Sequence, residues 1–187
     1  MTDGPFYRDS RPPFPTADYA SITLATTMKS LWTPGATNPT ILPANYWYAG
    51  KTLKLTANIK WTAVANVNPI TFGMAYGATD APACHVDSAS LTALSSTTVF
   101  DLIFEGYATC RSTGTAGTLS MFGKVVVPVG LIASTVANGV SFPNAGVTVV
   151  STIDTTLGTA GLFFQALRGT AAGDTIVATN IFLEALN

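Results

Sequence analysis

Apolar and polar residues alternate with a period of two along most of the chain after about residue 20. In the segment from Lys51 to Thr62 the apolar members of this alternation are Leu53, Leu55, Ala57, Ile59 and Trp61. Successive side chains of a β-strand point to opposite faces, so this pattern is typical of a strand with one buried and one wet face. We therefore predict a half-buried strand here.

The same alternation recurs in several other segments. Strands are predicted from Ile70 to Tyr76 and from Thr98 to Cys110, and further strands around 21–31, 118–127, 129–137, 147–153, 161–168 and 175–186. Turn-forming residues such as Asn138-Gly139 separate them. The glycine-rich segments 158–161 and 169–173 are interpreted as hairpin turns. The loop from Asp80 to Ser95 has room for a turn of helix. The pattern predicts an all-β protein, with residues 21–187 forming one antiparallel, jelly-roll-like β-sandwich.

Residues 1–20 differ in composition and are predicted to form an extended N-terminal arm. Their prolines disfavour helix and favour an extended path. Ordering such a segment costs about 1–2 kcal/mol per residue, whereas each buried aromatic ring returns about 1.5–3 kcal/mol. We expect the arm to become ordered only against a partner, the alternative being a free terminus. The predicted contact residues are Phe6, Tyr7, Arg8, Arg11, Phe14 and Tyr19.

The chain carries unusually few charges. Hydrophobic residues make up 48% and charged residues 10% of the sequence, against about 25% charged residues in ordinary soluble domains. A surface this neutral is poorly protected against association. It is typical either of a neutral monomer or of a subunit covered by partners, and we favour the second. The net charge of -1 gives no reason to expect nucleic-acid binding.

The sequence also gives no reason to expect a membrane or secretory protein. Every apolar run is too short to span a bilayer, and the first residues lack the basic and apolar regions of a signal peptide. The two cysteines do not make a disulfide scaffold. Synthesis in the cytoplasm is therefore expected.

Candidate chemistry is sparse. His85 is adjacent to Cys84, and neighbouring residues of an extended chain point to opposite sides, so they do not form a ready catalytic dyad. Asp101 and Glu105 share a strand face about 13 Å apart, farther than the roughly 5–9.5 Å between glycosidase carboxylates. A solvated outer face is the preferred interpretation. No catalytic residue and no cofactor is predicted.

A metal site is not predicted either. The available ligands would be Asp80, Cys84, His85 and Asp87, whose spacing matches no zinc motif. The aromatic residues allow two interpretations: Trp32, Trp47 and Trp61 are suited to stacking on sugars or, more commonly, to packing in a core or between subunits. Possible ligand or interface aromatics are Tyr46, Trp47 and Tyr48.

Three groups of residues resemble a class of small β-rich structural proteins encoded by tailed bacteriophages. These are Gly50-Lys51-Thr52-Leu53-Lys54-Leu55 after the aromatic-rich 41–47, Phe104-Glu105-Gly106-Tyr107 continuing to Ser112 with Gly114 and Gly117-Thr118, and the final Asn180-Ile181-Phe182-Leu183-Glu184-Ala185-Leu186-Asn187. The resemblance runs from about residue 40 to the end and leaves the arm unmatched.

The resemblance implies a virion protein with a jelly-roll or TNF-like fold that assembles as a homotrimer. A head decoration (cement) or minor capsid protein is the expected role, with the major capsid protein and copies of itself as partners. The arm would then lie across the shell, and no catalytic residues carry over. The alternatives are a tail or fibre-tip protein that binds a glycan receptor and, third, a glycan hydrolase using Asp101 and Glu105.

Overall fold

The computed structural model describes residues 20–24, 27–32, 40–64, 68–78, 81–95, 97–133, 138–144, 149–168 and 173–187. Apart from Ala20, the predicted N-terminal arm lies outside these residues. The strands are β1 (Ile22–Thr23), β2 (Lys29–Ser30), β3 (Thr52–Thr62), β4 (Ile70–Ala78), β5 (Ala81–Asp87), β6 (Val99–Ser112), β7 (Gly117–Val127), β8 (Asn138–Phe142), β9 (Val149–Ile153), β10 (Gly161–Arg168) and β11 (Thr175–Ala185).

The strands form two antiparallel sheets. A seven-stranded sheet has the order β1-β11-β3-β6-β7-β8, with β9 also paired to β7, and a four-stranded sheet has the order β2-β10-β4-β5. The described part of the chain contains no α-helix. The prediction of an all-β, jelly-roll-like sandwich is confirmed.

The alternation of β3 and β6 builds the centre of the seven-stranded sheet. Leu55 pairs with Gly106 and Ile59 with Leu102, and all four lie on the inner side. Phe104 on β6 meets rings of the other sheet, with its centroid 5.7 Å from Phe72 and 5.0 Å from Phe164. Those contacts join the two sheets into one hydrophobic core.

Gly106 permits close approach of the sheets. A Cβ atom at this position would lie 2.6 Å from the sulfur of Met74 and 2.9 Å from Cε1 of Phe164. Because both distances are too short for any side chain, glycine is the residue that fits between these two core side chains.

A buried ion pair links the ends of the two sheets. Arg168 ends β10 in one sheet, and its Nε lies 3.2 Å from Oδ2 of Asp174, directly before β11 in the other. Asp174 also accepts hydrogen bonds from Trp61 Nε1 at 3.0 Å and from the Val64 amide at 2.9 Å. Burial lowers the pKa of Arg168, and the negative charge of Asp174 opposes that effect. The Asp174 carboxylate is thus held by Arg168 and by two groups from the end of β3.

Several strand predictions are confirmed within one or two residues, but the edges differ. The loop predicted from Asp80 to Ser95 contains β5, which pairs with β4 along the edge of the four-stranded sheet. Asn138-Gly139, predicted as a turn, begins β8, which pairs with β7. These strands depend on hydrogen bonds to a neighbour rather than on a strong pattern of their own.

The prediction of a strand at 129–137 is wrong for the part of that range that the structure describes. Val129 and Ile132 make only isolated bridges, and Ile132 bridges to Ala93 in the same way. The single strand predicted at 21–31 is instead the two short strands β1 and β2, which lie in different sheets.

The glycine-rich segment 158–161 is not a hairpin turn, and of the segment 169–173 only Gly173 lies within the described residues. β10 lies in the four-stranded sheet, whereas β9 before it and β11 after it lie in the seven-stranded sheet. Residues 158–161 therefore join strands of different sheets, and β10 and β11 do not pair with each other.

Candidate functional site

The outward side of β11, β3, β6 and β7 presents an unusual number of exposed apolar side chains. We call this surface the outer face. Ile103 is 51% and Phe122 48% exposed, and Ile103 lies directly opposite Val126 in the register of β6 with β7. The exposed apolar side chains of the outer face are Val99, Ile103, Phe122, Val126 and Phe182.

An ion cluster centred on Glu105 lies among these apolar side chains. Glu105 is 3.0 Å from the Lys54 ammonium and 3.7 Å from that of Lys124. The Tyr107 hydroxyl donates a hydrogen bond of 3.1 Å to Glu105 Oε1. Three strands thus hold one carboxylate.

The pKa values of the cluster follow from these contacts. The hydrogen bond from Lys54 lowers the pKa of Glu105 below its usual range, with desolvation opposing it and Tyr107 adding to it. The same bond raises the pKa of Lys54. Glu105 is therefore an ionised carboxylate at neutral pH and is poorly suited to donate a proton.

Two further features give the outer face its shape. The rings of Tyr107 and Phe122 stack with centroids 5.0 Å apart and an interplanar angle of 15°. A shallow depression of about 270 Å³ lies beside Ile103, lined by Asn58, Asp101 and Thr179. It sits where the register of β11 and β3 shifts between Ala178 and Asn180.

Asp101 and Glu105 share the outer face, in agreement with the strand pattern. Asp101 is exposed, whereas Glu105 is half-buried in its ion cluster. The two carboxylates therefore lie on one face in different surroundings.

A second polar cluster lies on the four-stranded sheet. His85 Nδ1 is 2.7 Å from Asp87 Oδ2, and Gln165 Nε2 donates a hydrogen bond of 2.9 Å to Asp87 Oδ1. Gln165 is buried, while more than half of the His85 side chain is exposed. Gly73 lies beneath, where any Cβ would collide with Asp87. The bond to Asp87 fixes the orientation of an imidazole that is more than half exposed.

The sequence alone groups His85 and Asp87 only as available metal ligands with Asp80 and Cys84, and it does not point to Gln165. The usable signal was the spacing of His85 and Asp87, since residues two apart share a strand face. Gln165 belongs to β10, and its place beside Asp87 depends on the strand order.

The predicted aromatic residues do not form one surface. Trp32 and Trp61 are fully buried, and Trp47 is only 5% exposed, so the interpretation of the three tryptophans as a sugar-stacking platform is wrong and core packing is correct. The Trp47 ring packs edge-on against Tyr76, with centroids 5.9 Å apart. A ring held in this way is not available to a ligand.

Tyr46 and Tyr48 lie at the surface on either side of Lys51. The Lys51 ammonium is 3.3 Å from the centroid of Tyr46 and 5.2 Å from that of Tyr48. Tyr48 also donates a hydrogen bond of 2.7 Å to the Asn187 carbonyl. These two tyrosines form a small cation–aromatic cluster near the end of the chain.

The other predicted positions have simpler outcomes. The arm residues Phe6, Tyr7, Arg8, Arg11, Phe14 and Tyr19 lie outside the described residues. Cys84 and Cys110 are both buried free thiols, and burial raises the pKa of Cys110.

Across the described ranges, no three side chains of His, Cys, Asp or Glu come together in a way that could hold a metal ion. In that part of the chain no helix is both long and apolar enough to cross a bilayer.

Comparisons with known proteins add little to this geometry. No family model matches the sequence, and no curated protein matches it. Similar solved structures are the alginate lyase AlgAT5 of polysaccharide lyase family 7 (TM-score 0.32, 9% identity, 86% of this chain and 63% of that one), a legume lectin-like domain from Entamoeba histolytica (0.32, 7%, 86% and 90%) and the alginate lyase from Corynebacterium sp. (0.27, 12%, 85% and 62%).

These likenesses concern the β-sandwich fold alone. The chain spans less than two thirds of the length of either lyase. The expectation that this protein is not an enzyme therefore stays a prediction, as does its assignment to a virion.

Proposed function

We propose that this protein is a structural subunit of a tailed-phage particle that works by binding other protein surfaces rather than by catalysis. Its role is head decoration, or that of a minor capsid protein, with the major capsid protein and copies of itself as partners. The protein is made in the host cytoplasm and ends in the virion.

The observation that supports this proposal most directly is the outer face. Five large apolar side chains are exposed on one face of the seven-stranded sheet. Apolar residues scattered singly over a surface are ordinary, whereas a group of them on one surface indicates an interaction site. Tyr and Phe side chains are also enriched in protein interfaces.

The charge content supports the same proposal. Only 10% of residues are charged, so the exterior lacks the ions that keep monomers apart in solution. The resemblance of 50–55, 104–118 and 180–187 to phage structural proteins supplies the setting.

Binding to particles tests the proposal. Purified protein should bind undecorated phage heads, and immuno-electron microscopy should locate it on the head in intact particles. Protein that neither binds heads nor occurs in purified particles would overturn the proposal. A location at the tail would favour the receptor-binding alternative.

A second candidate function is glycan binding, favoured by the cluster of His85, Asp87 and Gln165. Imidazole, carboxylate and amide groups are the hydrogen-bonding partners that sugar hydroxyls require. Calorimetric titration with host-surface glycans tests it. The His85→Ala and Asp87→Asn variants should each lose the binding heat, with Arg111→Met as a surface control that keeps it.

A further inference from the structure

We propose that the outer face is covered by another copy of the same chain. This inference rests on the proposed function, because it names which of the partners occupies that surface. The chain would then reach the virus particle as a preformed oligomer bound through its seven-stranded sheet.

The size of the outer face agrees with a stable interface. Strands β3 and β7 each contain 11 residues, and four neighbouring strands span about 19 Å across and 35 Å along the strands. Covering such a surface buries on the order of 1,300 Å² in total, counting both partners, within the roughly 1,200–2,000 Å² range of specific interfaces.

The charges of the outer face are balanced, which fits a partner of the same composition. Within the central rows, Lys54, Lys60 and Lys124 offset Asp101, Glu105 and Glu184. Glu105 already contacts Lys54 and Lys124, so covering it leaves no isolated buried charge. A strongly charged partner, such as nucleic acid, finds no matching field here. Another copy of this chain, whose few charges are also balanced, matches the outer face.

The outer face contains a depression that can accommodate a side chain of the partner. The depression of about 270 Å³ beside Ile103 is bordered by both polar and apolar groups. About 13 Å farther along β6, the rings of Tyr107 and Phe122 stack on each other. Pockets and aromatic side chains are both typical of the interface positions that contribute most to binding.

The test exploits the register of the sheet. Ile103 and Val126 face each other across β6 and β7, so the double variant Ile103→Lys with Val126→Glu places an opposite-charge pair on neighbouring strands and preserves the sheet. The matched control is Leu157→Lys with Val129→Glu. Leu157 is 47% and Val129 52% exposed, and both lie outside the strands of the outer face.

Molar mass is measured by light scattering during gel filtration. The parent protein should elute as a small closed oligomer, at two or three times 19.4 kDa. The double variant should weaken self-association by about 100-fold or more and elute at the mass of one chain. The control should keep the parent's mass. Circular dichroism and the unfolding temperature verify that both variants remain folded.

The outcomes separate this inference from the proposed function. A parent that remains a single chain at about 100 μM overturns the inference, as does an oligomer that the double variant leaves intact. If the parent protein is a monomer and the double variant no longer binds heads, the outer face binds the capsid shell. In that case the inference fails and the proposed function stands. An oligomer that never binds heads would overturn the proposed function alone.

Discussion

At the scale of single residues, the ion pair of Arg168 and Asp174 places two charged side chains inside the core. Both side chains are fully buried. If Arg168 is replaced by methionine, Asp174 keeps its bonds from Trp61 and Val64 but loses its counter-charge. We expect Arg168→Met to cost about 3–5 kcal/mol in the free energy of unfolding.

Urea denaturation at neutral pH measures this loss. Arg111→Met is the control, because Arg111 is exposed at the end of β6, and it should change stability by less than about 0.5 kcal/mol. Equal midpoints for the two variants would show that the pair does not hold the sheets together.

Glu105 makes stability depend on pH at the same scale. Its pKa is lowered in the folded protein from the usual 4.5, so the unfolded chain takes up the proton first as the pH falls. The stability that the cluster supplies is present above the unfolded value and is lost as the pH falls through the folded value. Partial exposure keeps this contribution small.

The measurement compares unfolding midpoints at pH 6 and pH 3. Glu105→Gln should reduce the loss of stability between these two conditions, because it removes the group that titrates. Asp101→Asn removes one charge from the same face without touching the cluster and serves as the control. If the Glu105→Gln variant loses as much stability between the two pH values as the wild-type protein does, the role of the cluster is contradicted.

At the scale of elements, close packing between strands depends on glycine. A Cβ at Gly123 on β7 would lie 2.5 Å from the Glu105 carbonyl and would collide with the ring of Phe142. Since backbone cannot yield as a flexible side chain does, Gly123→Ala should destabilise the protein by about 1–3 kcal/mol.

Gly139 on β8 is the matched control. Nothing lies within 4 Å of a Cβ built there, and an alanine restricts the unfolded chain, so Gly139→Ala should be neutral or slightly stabilising. Thermal unfolding of the two variants makes the comparison. A Gly123→Ala protein as stable as the Gly139→Ala protein would show that β7 and β8 have room to move apart.

At the scale of the whole molecule, β11 closes the seven-stranded sheet. It lies between β1 and β3, and Ala178 to Ala185 pair with β3. A chain that stops after Val177 loses these bonds and uncovers the core, and should not fold.

Stopping the chain after Leu186 instead provides the control. It removes only Asn187, whose side chain accepts from the Thr52 amide and donates to the Gly50 carbonyl. We expect that protein to remain folded with a modest loss of stability. Circular dichroism distinguishes the two, and a cooperative β-sheet transition in the shorter chain would show that β11 is dispensable.

Whether a strand could be predicted from the sequence depends on the range of the interactions that form it. Strands β3, β4, β6, β7 and β11 could be predicted because alternation is written into neighbouring residues, whereas β10, predicted at 161–168, is an almost continuously buried run. β5 and β8 could not, because each forms by pairing with one long strand. The outward position of Asp101 and Glu105 followed from the pattern, whereas the lysines and tyrosine around Glu105 come from registers between strands.

By itself the sequence determined the fold class, the strands with strong alternation and the low content of charged residues, because these properties depend on residue type and local spacing. The tertiary structure alone decided which strands are neighbours. It thereby placed Gln165 beside Asp87, 78 positions away, and Trp61 beside Asp174, 113 positions away. It also gathered the exposed apolar side chains of separate strands onto one face. Contacts of this kind depend on sheet order, which the period of a strand does not contain.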